Sequence, residues 1–122
     1  MRKTRTMTIG EIITELETIK DKKKNIVFDF CGLPPEDFDS SRGNYSELAI
    51  GYGYDSVSVE TLLKRCYEAL ECTFYGYKGG DYEMKRSTPV WVDNYSFWTC
   101  TGIVGFIDDA FGIIIETQYI GV

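Results

Sequence analysis

A small α+β domain, with an antiparallel sheet and two helices packed on one face, is the fold this sequence predicts. Three observations carry it. Residues 9–19 and 59–71 repeat apolar side chains at helical spacing, each behind a capping residue. The last third alternates apolar and polar residues around a turn, the pattern of a β-hairpin. The 122 residues fit one domain, and the two helical stretches come too irregularly for repeated βαβ units.

The first helix opens on Thr8, with Glu11 three residues on to complete a capping box. Ile9, Ile12, Ile13, Leu16 and Ile19 form its apolar stripe. Lys20 and Lys22 to Lys24 follow near its C-terminus, where positive charge suits the helix dipole, and read as a solvated run. Ahead of Thr8, residues 1–7 read as a loose basic arm. Residues 25–30 are β-branched and aromatic, hence a strand.

Residues 31–43 then read as a long ordered ligand loop. Leu33 and Phe38 anchor it, Pro34-Pro35 extends it, and the Asp, Ser and Gly of 37–43 make successive turns. A strand follows over 45–52. Ser58 caps the second helix, whose buried stripe is Val59, Leu62, Leu63, Cys66 and Leu70. Two short extended segments flank Lys78-Gly79-Gly80, and a Pro-led strand starts near Thr88. In that strand Val90 and Val92 face the core and Trp91 faces out. In the closing hairpin, Thr101, Ile103, Gly105 and Ile107 share one face, and Gly102, Val104 and Phe106 the other.

Composition narrows the function. Apolar residues make up 43% of the chain, enough for a core, and the net charge is −6. An acidic chain without a broad basic face is a poor partner for long nucleic acids, although a small anion can sit in a local basic pocket. No run of about 20 apolar residues marks a membrane span, and the basic start lacks the apolar region of a secretory signal. The four cysteines, at 31, 66, 72 and 100, form no Cys-x-x-Cys pair. A cytoplasmic protein with reduced thiols is expected, with no membrane partner, cofactor or metal.

The chain contains no His, and with it goes the commonest general base. Cys31, between a strand and a glycine, has the placement of a nucleophile but no such base. Glu36, Asp37, Asp39 and Glu47 suit turn capping and loop solubility as well as a carboxylate pair. Arg42, between Ser41 and Gly43, can grip phosphate with its fork or tie the loop to a carboxylate. Lys78-Gly79-Gly80 can present a cation and backbone N–H groups to an anion, or make an ordinary turn. Eight aromatics crowd residues 74–98, Tyr82 and Trp91 among them, and suit either base stacking or a subunit interface.

Four stretches occur together here: Val27-Phe28-Asp29-Phe30-Cys31-Gly32-Leu33; Phe38-Asp39-Ser40-Ser41-Arg42-Gly43-Asn44-Tyr45 with Leu48-Ala49; Gly76-Tyr77-Lys78-Gly79-Gly80-Asp81-Tyr82; and Thr88-Pro89-Val90-Trp91-Val92. The combination, spanning roughly residues 8–120, resembles the first-described family of phage proteins that counter Thoeris, a bacterial immune system. The resemblance implies a non-enzymatic sponge in the infected cell's cytoplasm. Such a protein sequesters a cyclic ADP-ribose isomer made by a TIR enzyme and releases it intact. It also implies a homodimer or a higher homo-oligomer. A protein-interaction inhibitor of a host enzyme, or an enzyme that cleaves a nucleotide, is the alternative.

The contacts expected for such a ligand follow from side-chain chemistry. Phe38 or Trp91 stacks on adenine, and Arg42 or Lys78 meets the diphosphate. Asp39, Ser40 or Asn94 bonds ribose hydroxyls, with Tyr45, Gly79 and Tyr82 completing the candidate set.

Arg42 is the only cation between Cys31 and Tyr45, and this generates a prediction. A charge-assisted hydrogen bond is worth about 1.5–3 kcal/mol. Arg42→Ala should therefore weaken nucleotide binding at least ~10-fold, and Arg42→Lys should recover only part of it. Calorimetry on both variants checks this. Unchanged affinity with a lowered melting temperature makes Arg42 a loop tie.

Overall fold

The computed structural model describes residues 5–41, 44–71, 73–75, 81–83, 85–93 and 101–120. Its helices are α1 (Ile9–Thr18) and α2 (Val59–Glu71). Its strands are β1 (Ile26–Phe28), β2 (Pro35–Ser41), β3 (Asn44–Tyr52), β4 (Thr73–Tyr75), β5 (Asp81–Glu83), β6 (Val90–Asp93), β7 (Thr101–Asp109) and β8 (Gly112–Tyr119). Six strands form one sheet in the order β1, β8, β7, β6, β3, β2, and β4 pairs with β5 apart from it.

The class is α+β, but the sheet is mixed rather than antiparallel. β1 runs parallel to β8, and β3 parallel to β6. Parallel neighbours need a long crossover. Between β3 and β6 that crossover holds α2 and the β4–β5 pair, so helix spacing along the chain gave no sign of it. The sheet also curls until its edge strands β1 and β2 come close, which makes it nearly a barrel. The exposed side of β1 is closed by local chain: the Ile26 N–H donates to the Val57 carbonyl and the Phe28 N–H to the Leu33 carbonyl. Gly32, at φ +68°, makes the turn that brings Leu33 back.

One core lies between the helices and the sheet. Ile9, Ile12, Ile13 and Leu16 of α1 meet Val59, Leu62, Cys66 and Ala69 of α2 over Phe28, Leu48, Val90, Ile103 and Ile115 of the sheet. Each large side chain taken out of water there contributes roughly 1.5–3 kcal/mol. Both helix starts have the expected caps. Thr8 and Glu11 bond reciprocally, and Ser58 Oγ accepts from the Thr61 N–H. The lysine run is more than a solvated face. Lys22 Nζ donates to the Glu17 and Ile19 carbonyls at the end of α1, and Lys24 pairs with Asp108. The carbonyls of Lys24 and Lys22 accept from the first N–H groups of α2. A single turn therefore ends one helix and begins the next.

Three local expectations are corrected. Residues 35–41, read as loop, are strand β2, antiparallel to β3 with Phe38 opposite Ile50 and Asp39 opposite Ala49. Pairing with β3 and burial of Phe38 override the turn tendency of Asp and Ser, which survives as two register irregularities. In β7 a register shift between Ile103 and Gly105 breaks the alternation. Ile103 and Phe106 consequently share the core face, and Ile107 is turned outward.

The third correction is the N-terminal arm. Residues 6–8 are not loose but lie between β6 and β7. Among the described residues those strands pair directly at Trp91 and Gly102. Beyond that pair the Met7 N–H donates to the Ile103 carbonyl, and the Val90 N–H donates to the Met7 carbonyl. Thr8 bridges to Pro89. Thr6 is buried, and its Oγ1 donates to the Val90 carbonyl at 2.5 Å and accepts the Ile103 N–H at 2.8 Å. Gly102 lets the arm approach, because a Cβ there would lie 2.8 Å from Thr6 Cβ.

Thr6→Val keeps the shape and removes both bonds of the hydroxyl. A buried group left unpaired costs about 1–3 kcal/mol, so Thr6→Val should lower stability by at least that much in denaturant unfolding. Thr6→Ser should cost clearly less. Equal stability of all three proteins would show the two hydroxyl bonds to be dispensable to the sheet.

Candidate functional site

The cleft that unites a candidate residue with a cation forms where the arm, α1 and β6 meet. It has a volume of about 440 Å³ and is lined by Arg5, Thr6, Thr8, Glu11, Ser87, Pro89 and Trp91. Ligand pockets commonly occupy about 300–1,000 Å³. Each wall has a local cause. The capping box places Thr8 and Glu11 at the start of α1. The wedge of residues 6–8 places Arg5 beside them. The turn over 85–88 is held to α1, since the Ile9 and Gly10 N–H groups donate to the Thr88 and Arg86 carbonyls.

Trp91 stands on the face of the sheet opposite the core. Val90 and Val92 are buried and Trp91 is half-buried, as alternation requires. Strand register puts Asp39, Ala49, Trp91, Gly102 and Gln118 in one row across five strands. The neighbours of Trp91 in that row are alanine and glycine. The space beside Gly102 is taken by Thr6 and Ile120, which pack against the sheet there.

The electrostatics are local. Arg5 Nη1 donates to Glu11 Oε1 at 2.7 Å and Nη2 to Oε2 at 2.9 Å, a two-pronged pair. Glu11 Oε1 also accepts the Thr8 N–H at 2.9 Å. The Arg5 bond and then the Thr8 N–H hold the Glu11 carboxyl down at about 2, against an ordinary 4.5. The first N–H groups of α1 go to the Thr88 and Arg86 carbonyls and to Thr8 Oγ1, so the helix start does not itself present an anion site. Arg5 is the cation of the cleft.

The candidate residues are dispersed. Phe38 is a core residue of β2 at 8% exposure, the anchor expected of it, which leaves stacking to Trp91. Asp39 lies two strands from Trp91 in the same row, and Ser40 is opposite Leu48. Tyr45 is in β3, and Tyr82 is opposite Phe74 in the separate β4–β5 pair. Arg42, Lys78, Gly79 and Asn94 lie outside the described residues. Arg5 and Glu11 were missed as site residues because the arm read as loose and Glu11 was fully explained as a cap. The signal was there in Thr6-Met7-Thr8, a short strand-like run directly ahead of the helix.

The two described cysteines differ in surroundings. Cys66 is buried in the core, and burial pushes its thiol up to about 12. Cys31 is exposed. Among the described residues no group of Cys, Asp and Glu is placed to hold a metal, and no helix is long and apolar enough to cross a membrane. No known protein family, curated protein or solved structure matches the chain.

The Glu11 carboxyl gives a prediction with a definite sign. Its folded value lies below its unfolded one, so its stabilisation is present above about 4.5 and is lost as pH falls toward about 2. Glu11→Gln should keep the cap but flatten that part of the stability–pH curve. Thermal unfolding between pH 5 and pH 2 checks this. Parallel curves for both proteins would show that Glu11 is not a source of the acid sensitivity.

Proposed function

We propose that this chain is a phage or prophage anti-defence protein that binds and sequesters a small anionic nucleotide without cleaving it. The ligand is a cyclic ADP-ribose isomer made by a TIR enzyme. The observation that carries the reading is the cleft: an aromatic face, Trp91, and a guanidinium, Arg5, line one opening of ligand size. Those are the two groups that a purine and a diphosphate need. The motif resemblance set out above selects this nucleotide from others with the same groups. A sponge requires neither a general base nor a nucleophile, in keeping with a chain that has no His and a Cys66 thiol held protonated. It works in the host cytoplasm as a homodimer or higher oligomer. The aromatic and aliphatic side chains exposed on the last hairpin, Ile107, Phe111 and Tyr119, are the surface for that assembly.

Titration with cyclic ADP-ribose isomers, followed by heat denaturation and assay of the released ligand, tests the proposal. The expected outcome is saturable binding and intact ligand, unchanged in Cys31→Ser. Altered ligand would make the protein an enzyme. Absence of binding would leave inhibition of a host protein.

A further inference from the structure

We propose that Glu11 is a built-in competitor for the anion site, closing the Arg5 fork until a phosphate-bearing ligand takes it over. The inference rests on the nucleotide reading for its ligand and on separate geometry for its mechanism.

The geometry has three parts. Both oxygens of Glu11 engage both terminal nitrogens of Arg5, at 2.7 and 2.9 Å, which is the arrangement a phosphate would use. The pair is solvent-accessible, with side-chain exposures of 67% for Arg5 and 41% for Glu11. Exposed pairs are weak and easily exchanged. Finally, the base of Arg5 is fixed by backbone, while its tip is held by the Glu11 carboxylate and by a longer 3.3 Å bond from Nη1 to the Thr6 carbonyl. The next residue, Thr6, is buried and bonded to both Val90 and Ile103, so the guanidinium can change partner without the backbone moving.

Glu11 also has a second bond that makes exchange possible without loss of the helix start. Its Oε1 accepts the Thr8 N–H, and Thr8 Oγ1 accepts the Glu11 N–H. When Arg5 leaves, the carboxylate stays docked on the cap. A phosphate or diphosphate brings more negative charge than one carboxylate, and Trp91 and Pro89 in the same cleft offer apolar surface to an attached base. A weakly charged ligand gains nothing by opening the fork. The Arg5–Glu11 pair thus sets a threshold that selects for phosphate.

Calorimetry of the full chain with inorganic pyrophosphate and with ADP tests this. Glutamine retains the cap-accepting oxygen and removes only the charge. Glu11→Gln should bind both probes at least ~5-fold more tightly than the parent, with unchanged circular dichroism. Arg5→Gln added to Glu11→Gln should erase the gain. Glu15→Gln, an equal charge change one turn along α1, should give none. Equal affinity in the parent and Glu11→Gln, or no binding to Glu11→Gln, overturns the proposal. So does a gain that survives loss of Arg5 or is matched by Glu15→Gln. A cyclic ADP-ribose isomer that binds all these proteins alike would leave the nucleotide reading standing and the competition refuted. A pyrophosphate gain without binding of any isomer would do the reverse.

Discussion

Residues 6–8 complete the sheet between β6 and β7. Among the described residues these strands pair at Trp91 and Gly102, and on the Val90 side of that pair the arm lies between them. Val90 and Ile103 both turn a backbone N–H and carbonyl into the gap. Unpaired, these four groups would be costly so close to a core of isoleucine and leucine. Met7 supplies one backbone donor and one acceptor, and the hydroxyl of Thr6 supplies the other two bonds. The order of strands in the chain has a consequence here. In the hydrogen-bonded order of the described strands β3 and β2 follow β6, so the wedge lies between them and the β7–β8–β1 half of the sheet.

The same wedge sets the start of α1. Thr8 bridges to Pro89, and one residue later the helix begins with its first N–H groups on the Thr88 and Arg86 carbonyls. At the far end, Lys22 caps the helix and the same turn receives the first N–H groups of α2. α1 is therefore fixed at both ends and α2 at its start by backbone and lysine contacts, and both along their length by the core. Gly10 fits this scheme: a Cβ there would lie 2.8 Å from the Arg86 carbonyl oxygen. The cleft inherits that rigidity in its floor, while the Arg5 and Glu11 side chains at its mouth stay accessible.

Helices were legible because their signals are local. Thr8, Glu11 and the isoleucine stripe lie within three turns, and the range 59–71 coincides with α2. The closing hairpin was legible for the same reason. β2 was not, because its residues favour turns and only the partner strand makes them extended. Parallel pairing of β3 with β6 depends on a crossover of more than thirty residues, which no local pattern reports. The extra residue in β7 is likewise invisible to an alternation rule that assumes a period of two. For the site, strand alternation placed Trp91 outward, but nothing local tied Arg5 to it. They meet only because residues 6–8 insert between strands more than eighty residues away in sequence.

The proposed sponge would hold a ligand rather than transform it. Catalysis needs groups aimed at charge that develops in a transition state. The cleft instead combines a flat apolar face with a charge-paired fork, both suited to a ligand in its ground state. The fork is neutral as a pair, so an acidic chain need not maintain an open positive site to receive an anion. The guanidinium is kept oriented by Glu11 and by the carbonyl of Thr6, and orientation is what a bidentate contact requires. In the proposed exchange the pair keeps the fork occupied, and a phosphate must displace the carboxylate to use it. On the proposed reading, selectivity for phosphate comes from exchange of one oxyanion for another at a fixed place, with Trp91 in the same cleft contacting what else the phosphate carries.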